Sequence, residues 1–292
     1  MNEPDRAVFV DLGRARLRLW QWGDAGAPVV LLLHGGWDHG RMWDDFAPRV
    51  AALGYHAVAW DARGHGDSGR LPASGAYWNM FLVDLAQLCA ELSPGAPVRV
   101  IGHSFGGGLS LAFAATFPDL VDRVVNIDGL GPAPEMFLVQ DHAAVASQWL
   151  ADAEKIWDRP PREYASQREM AEKRKAINVR LPMAWCEHLV AHGTTRGPGG
   201  GWTWKSDPLF RLGSPGPFTA ESLMAEFARI RCPLLHLSGT EADQWGDLPD
   251  DVRARRLAAI ADAHHVAVAG AGHYVHIEQP DVVLEHVKAF LA

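Results

Sequence analysis

The sequence predicts an α/β fold: a mostly parallel eight-stranded sheet flanked by helices, with a helical lid inserted after the sixth strand. Three observations support this. Short β-type runs alternate with helix-type segments through the first 130 residues, the order that a parallel sheet with helices on both faces requires. The rhythm stops between about Gly129 and Ile230, where the chain is helix-leaning and charged, then rich in Gly and Pro from Gly193 to Pro217. It resumes at Pro233 and runs to the end. The core is therefore expected over residues 1–130 and 231–292, and an inserted cap over 131–230. A length of 292 residues suits one core domain with an insertion better than two full domains.

Each element has its own signal. Phe9 to Leu12 and Arg16 to Trp22 alternate apolar and polar around Gly13, as an antiparallel hairpin does. Pro28 to Leu33 is a continuous aliphatic run, the mark of a strand covered on both faces. Met42 to Leu53 has helical spacing and stops at Gly54. His56 to Trp60 reads as a strand, Met80 to Leu92 as a helix and Val98 to Ile101 as a strand. Phe105 to Phe117 reads as a helix and Val121 to Ile127 as a strand. After the insertion come a strand at Pro233 to Leu237, a helix at Asp250 to Ala261, a strand at Val266 to Val268 and a closing helix at Asp281 to Leu291. Within the insertion, the charged run Arg168 to Lys175, with Glu169, Glu172, Lys173 and Arg174, is expected to be a solvated helix face.

Composition narrows the functional classes. With 48% hydrophobic and 21% charged residues the chain is ordinarily globular, not disordered. A formal net charge of −8 supplies no basic stripe for nucleic acid and no attraction to anionic lipid. Cys89, Cys186 and Cys232 are odd in number and far apart, so neither a disulfide framework nor a zinc site is expected, which fits a reducing cytoplasm. Met1 to Arg6 is not expected to begin a signal peptide, because no apolar stretch follows a basic one, and the aliphatic run Val29 to Leu33 is too short to cross a bilayer. No phosphate loop is present, since Gly106-Gly107-Gly108 lacks the lysine and the spacing. The expectation is a cytoplasmic protein with no cofactor and no metal, acting on a small molecule.

The sharpest motif is Gly102-His103-Ser104-Phe105-Gly106. It follows one aliphatic run and opens an apolar helix, so Ser104 is expected on a tight strand-to-helix turn at the carboxyl edge of the sheet, where ligands of α/β proteins bind. The bland alternative is a serine that merely caps the helix. A serine hydroxyl needs an adjacent base. Among 14 histidines, His273 stands out, because Gly270 and Gly272 let its loop swing the ring inward after the last strand. His276 is the rival and more simply packs or caps; His34, His65 and His103 read as structural. The imidazole needs a carboxylate to orient it. Asp243 is the first choice, with Asp128 and Glu241 as alternatives. Two oxyanion donors are expected, the amide of Phe105 and an amide from His34-Gly35-Gly36-Trp37. Lid tryptophans are candidates for an apolar pocket. Lid packing is the simpler role for Trp149, Trp157 and Trp185, whereas Trp202 and Trp204 follow a Gly-rich stretch expected to be flexible, and are expected to line the pocket together with Trp37 and His103.

Together, His34-Gly35-Gly36, Asp61-Ala62-Arg63-Gly64-His65-Gly66-Asp67-Ser68, the elbow around Ser104 and Gly272-His273 resemble the α/β-hydrolase superfamily over nearly the whole chain. The resemblance implies an oxyanion amide at Gly36 and a structural turn at Asp61 to Ser68. It also implies an acid three residues after Gly239, whereas that position is Ala242 and Asp243 is fourth. Dehalogenases and epoxide hydrolases of this fold use aspartate at the elbow, so Ser104 points to the serine hydrolases instead. The expected activity is cleavage of carboxylic esters through an acyl-enzyme. The alternatives are carbon–carbon bond or lactone hydrolysis by the same residues, and a non-catalytic ligand receptor.

Overall fold

A computed structural model describes residues 1–73, 75, 78–133, 141–213, 219–245 and 248–292. Its sheet has eight strands: β1 (Arg6–Asp11), β2 (Arg16–Trp22), β3 (Val29–Leu33), β4 (His56–Trp60), β5 (Val98–His103), β6 (Val121–Ile127), β9 (Leu234–Gly239) and β10 (Ala263–Val268). Their spatial order is β1-β2-β4-β3-β5-β6-β9-β10. β1 and β2 form the expected hairpin, β2 meets β4 antiparallel, and every other pairing is parallel. All five residues of β3 are buried, which is why that run carries no polar alternation.

Helices cover both faces. α2 (Trp78–Leu92) and α3 (Phe105–Thr116) bury Leu85, Leu88, Leu109 and Phe113 on one side. α1 (Ala47–Ala51) and the closing helix (Pro280–Leu291) bury Val50, Val283 and Val287 on the other. The single helix expected over Met42 to Leu53 is instead a 3-10 turn at Gly40–Trp43 followed by the short α1. Pro48 is the reason: it lacks an N–H and fits only a helix's first turn, so the helix has to begin beside it.

Between β6 and β9 lie α4 (His142–Trp157), α5 (Gln167–Ile177), α6 (Met183–Gly193) and α7 (Ala220–Phe227). The parts of the expected cap at 134–140 and 214–218 lie outside the described residues. Two features depart from expectation. A two-stranded ribbon, β7 (Thr194–Arg196) with β8 (Trp202–Trp204), interrupts the helices. The Gly-rich stretch inside it is a closed hairpin loop, in which the Gly197 N–H donates to the Gly201 carbonyl at 2.8 Å. The Glu163 carboxylate accepts from the Gly199 and Gly201 N–H groups, each at 2.7 Å. No helix among the described residues is long and apolar enough to cross a membrane.

The parallel register positions the site. Leu33 lies opposite Gly102, His103 opposite Ile127, and Ile127 opposite Leu237. The loops leaving β3, β5, β6 and β9 therefore emerge side by side at one edge.

Candidate active site

Ser104 ends β5 and precedes α3 with φ 52° and ψ −114°, a conformation that serine rarely adopts. Its neighbours explain how it is held there. A Cβ at Gly102 would collide with the Gly106 carbonyl, and one at Gly106 with the Leu33 carbonyl. Both collisions are with backbone, so no rotamer relieves them, and the tight turn requires glycine on either side of the serine. The side chain caps nothing in α3, which removes the bland reading of a capping serine. Ser104 borders a cavity of about 460 Å³.

Among the described residues, three other than glycine have positive φ: Trp37 (69°), Ser104 (52°) and Asp128 (47°). They come from three different loops, after β3, β5 and β6, and all three line this one cavity. Strained backbone of this kind costs on the order of 1–3 kcal/mol per residue and persists where packing over-determines it.

His273 follows β10 and lines the same cavity. Its Nδ1 lies 2.6 Å from Asp128 Oδ2, with both side chains largely buried. Asp243, the first choice from sequence, sits differently. Its Oδ2 accepts from the backbone N–H of His273 at 3.3 Å and its Oδ1 from the N–H of Trp245 at 3.2 Å. The carboxylate that reaches the ring is thus on the loop after β6, and the one after β9 holds the loop's backbone. The sequence signal for this was the absence of an acid three residues after Gly239. Glu241 is exposed and its Oε1 accepts from the neighbouring Thr240 hydroxyl at 3.3 Å.

The remaining histidines separate by their contacts. His34 Nδ1–H donates to the Gly35 carbonyl at 2.8 Å and its Nε2 accepts from the Ala62 N–H at 3.0 Å. Burial pushes this ring down to about 3, so it stays neutral. His103 Nε2–H donates to the His273 carbonyl at 2.9 Å, fixing the loop that carries His273. Burial, then the nearby His273, hold His103 well below the usual histidine range. His276 packs against Trp43 with ring centroids 4.5 Å apart, and both its nitrogens lack a partner among the described residues. It is a core residue, as its position one turn beyond His273 suggested.

Gly36 and Phe105 line the cavity, and their N–H groups have no acceptor among the described residues. Phe105 is the first residue of α3, where N–H groups are free of helical partners. Gly36 is tight against Phe210, whose Cε1 lies 3.2 Å from the place of a Cβ. Trp37 and His103 border the same cavity. Trp204 borders a second, adjoining cavity, whereas Trp202 borders neither. Its backbone pairs with Tyr164, and the Arg196 guanidinium stacks on its ring, so the ribbon consumes it.

Sequence reasoning missed a buried group beside the cavity. Arg174 of α5, placed on a solvated face, is 9% exposed and forms an ion pair with Asp38. The Tyr274 hydroxyl donates to Asp38 Oδ2 at 3.3 Å. Burial pushes the Asp38 carboxyl up, and Arg174 then Tyr274 pull it back down. Met170 and Ala171 are buried with Arg174. That i, i+1, i+4 set is one helix face, and it was readable as such. Asp61, in the expected structural turn, accepts from the Trp20 indole, Gly40 and Asp67 N–H groups, while burial raises its carboxyl to about 6.

The sequence matches the family model of the alpha/beta hydrolase fold over residues 28–280. An esterase of Mycobacterium tuberculosis, Rv0045c, is 28% identical over 271 residues, spanning 93% of this chain and 85% of that protein. A probable serine hydrolase of Drosophila melanogaster is 26% identical over 277 residues, spanning 92% and 82%. Among solved structures, the thioesterase domain from the curacin biosynthetic pathway superposes with a TM-score of 0.82 at 22% identity, over 97% of this chain and 98% of that one. This last likeness is one of fold.

Proposed function

The chain belongs to the α/β-hydrolase superfamily, and from that premise we propose that it is a serine hydrolase cleaving carboxylic esters through an acyl-enzyme. The observation that carries the reading is the convergence of Ser104, His273 and Asp128 on one cavity, with Ser104 and Asp128 both in strained backbone. Ser104 Oγ attacks the ester carbonyl while His273 Nε2 takes its proton. The Asp128 carboxylate holds the opposite ring nitrogen as the N–H tautomer and stabilises the imidazolium. The Gly36 and Phe105 N–H groups receive the oxyanion. His273 then returns the proton to the departing alkoxide. Water, deprotonated by the same ring, attacks the acyl-Ser104 ester and releases the acid. The reading is supported by relatives named as an esterase and a serine hydrolase. Serine at the elbow, where the epoxide hydrolases and dehalogenases of this fold have aspartate, sets it apart from those chemistries.

The test is hydrolysis of short 4-nitrophenyl esters by the wild type and Ser104→Ala. Loss of at least 10³-fold in kcat is expected; equal rates would remove Ser104 from the mechanism. A fluorophosphonate probe that labels the wild type at Ser104 excludes a non-catalytic receptor. A lactone and a vinylogous diketone assayed beside the ester decide among the bonds this constellation can break.

A further inference from the structure

We propose that the substrate carries a terminal oxyanion, a carboxylate or a phosphate, which seats against Lys173 and Arg211 in a second cavity next to the nucleophile. This rests on the ester-hydrolase reading of the neighbouring site. The second cavity, about 470 Å³, shares the walls Gly36, Trp37, Trp245 and Tyr274 with the first. Its charged lining has one sign: Lys173, Arg174 and Arg211, with no carboxylate among the lining residues. In a chain of net charge −8, that is a local reversal, and low-dielectric walls focus such a field on whatever enters.

The three cations differ in what they have left to offer. Arg174 is matched by Asp38 at the floor. Among the described residues the only carboxylate in ion-pair reach of Lys173 is Glu169, at 3.8 Å and with both side chains half exposed, a contact worth little in water. Arg211 has no carboxylate within ion-pair reach among the described residues; its guanidinium stands over the Trp37 ring, 5.4 Å from the centroid. A guanidinium so placed keeps its planar fork of donors for a carboxylate or phosphate.

Position ties this cation to the chemistry. Trp37 follows Gly36, and Phe210, which precedes Arg211, packs on Gly36. The anion seat therefore lies about one residue from the amide expected to hold the oxyanion. Of the acids that border the first cavity, Asp38 is ion-paired with Arg174 and Asp128 is hydrogen-bonded to His273. The scissile end thus meets the pocket lined by the elbow, and the tail meets unspent positive charge between the aromatic rings of Tyr164, Trp204 and Trp245.

The experiment compares matched 4-nitrophenyl esters whose acyl chains end in methyl, carboxylate or phosphate, together with a phenyl butyrate series bearing the same groups on the ring. The readout is the ratio of kcat/KM for the anionic to the neutral member. A ratio of tenfold or more in at least one series is expected, falling as salt rises. It should collapse by tenfold or more in K173E/R211E, and in K173Q/R211Q should charge reversal impair folding. The arm with the larger ratio identifies the anion. Ratios of one or less in both series, or a ratio that survives in both variants, would overturn the proposal. The serine mechanism is read separately, from the neutral ester with wild type and Ser104→Ala, so either idea can fall without the other.

Discussion

Replacing Asp128 by asparagine probes the hydrogen bond that joins the His273 ring to a carboxylate. The His273 Nδ1 to Asp128 Oδ2 distance is 2.6 Å, short enough for a charge-assisted bond. When His273 becomes an imidazolium, two unit charges about 4 Å apart attract by roughly 4 kcal/mol at an effective dielectric near 20. Asparagine abolishes that attraction, and its amide also favours the wrong tautomer, a change worth about 10⁴ in kcat in a serine-protease triad. Asp128→Asn is therefore expected to lose about 10³ to 10⁴ in kcat, or roughly 4–5.5 kcal/mol. Asp243→Asn weakens at most one of two backbone bonds of 3.2 and 3.3 Å. At about 1 kcal/mol, that costs less than tenfold. The assay is steady-state hydrolysis of 4-nitrophenyl butyrate by the three proteins, with circular dichroism to confirm folding. If Asp243→Asn fell as far as Asp128→Asn, or if Asp128→Asn kept more than a tenth of the activity, the assignment from geometry would be wrong.

Ser104→Gly should unfold at a higher temperature than Ser104→Ala, because glycine accepts a φ of 52°. Relief of about 1–3 kcal/mol, less the extra entropy of an unfolded glycine, leaves a gain of up to about 2 kcal/mol; equal melting temperatures would show that the turn stores no strain. Arg174→Met strands the Asp38 carboxylate in the interior, at an expected cost of about 3–5 kcal/mol, and adding Asp38→Asn should restore much of it in a denaturant melt. Stability should also fall with acid. Burial holds His34, His236 and His276 at about 3 and His65 at about 4, against 6.5 when unfolded. The unfolded chain then binds more protons between those values, so stability is complete above pH 6.5 and declines as pH falls toward 3–4. At pH 5.5 each such ring costs about 1.4 kcal/mol. Asp61, raised to about 6, works in the opposite sense between about 4 and 6 and offsets roughly one of them. Melting temperatures flat from pH 7.5 to 5 would contradict the buried, neutral state of these rings.

The central strand was legible because a parallel strand buried on both faces must be written as an aliphatic run, and Val29 to Leu33 reads directly off the chain; Val121 to Ile127 was read from its valines and isoleucine although Asp122, Arg123 and Asn126 interrupt them. Ser104 and His273 were legible because tight turns demand glycine at fixed offsets. The acid was harder. Asp128 and Asp243 both end strands at the same edge, and the choice between them depends on how far the β10 loop reaches across β9 toward β6, which no local pattern encodes. Arg174 was obscured by its neighbours: a charged run looks solvated until the partner, 136 residues away, is known. The 3-10 turn before α1 needed only closer attention to Pro48.

The Asp38–Arg174 pair has an evolutionary corollary. One charge is written into the framework, in the loop after β3, and its counter-charge into the segment between β6 and β9. A drifting gene that loses either ion alone leaves the other marooned, so the two positions must change in step. A chimera that grafts a foreign insertion onto this framework will need an arginine at the same spot, or a neutral residue in place of Asp38. Transplanted without that match, the borrowed piece would disorder the very loop whose work it was meant to redirect.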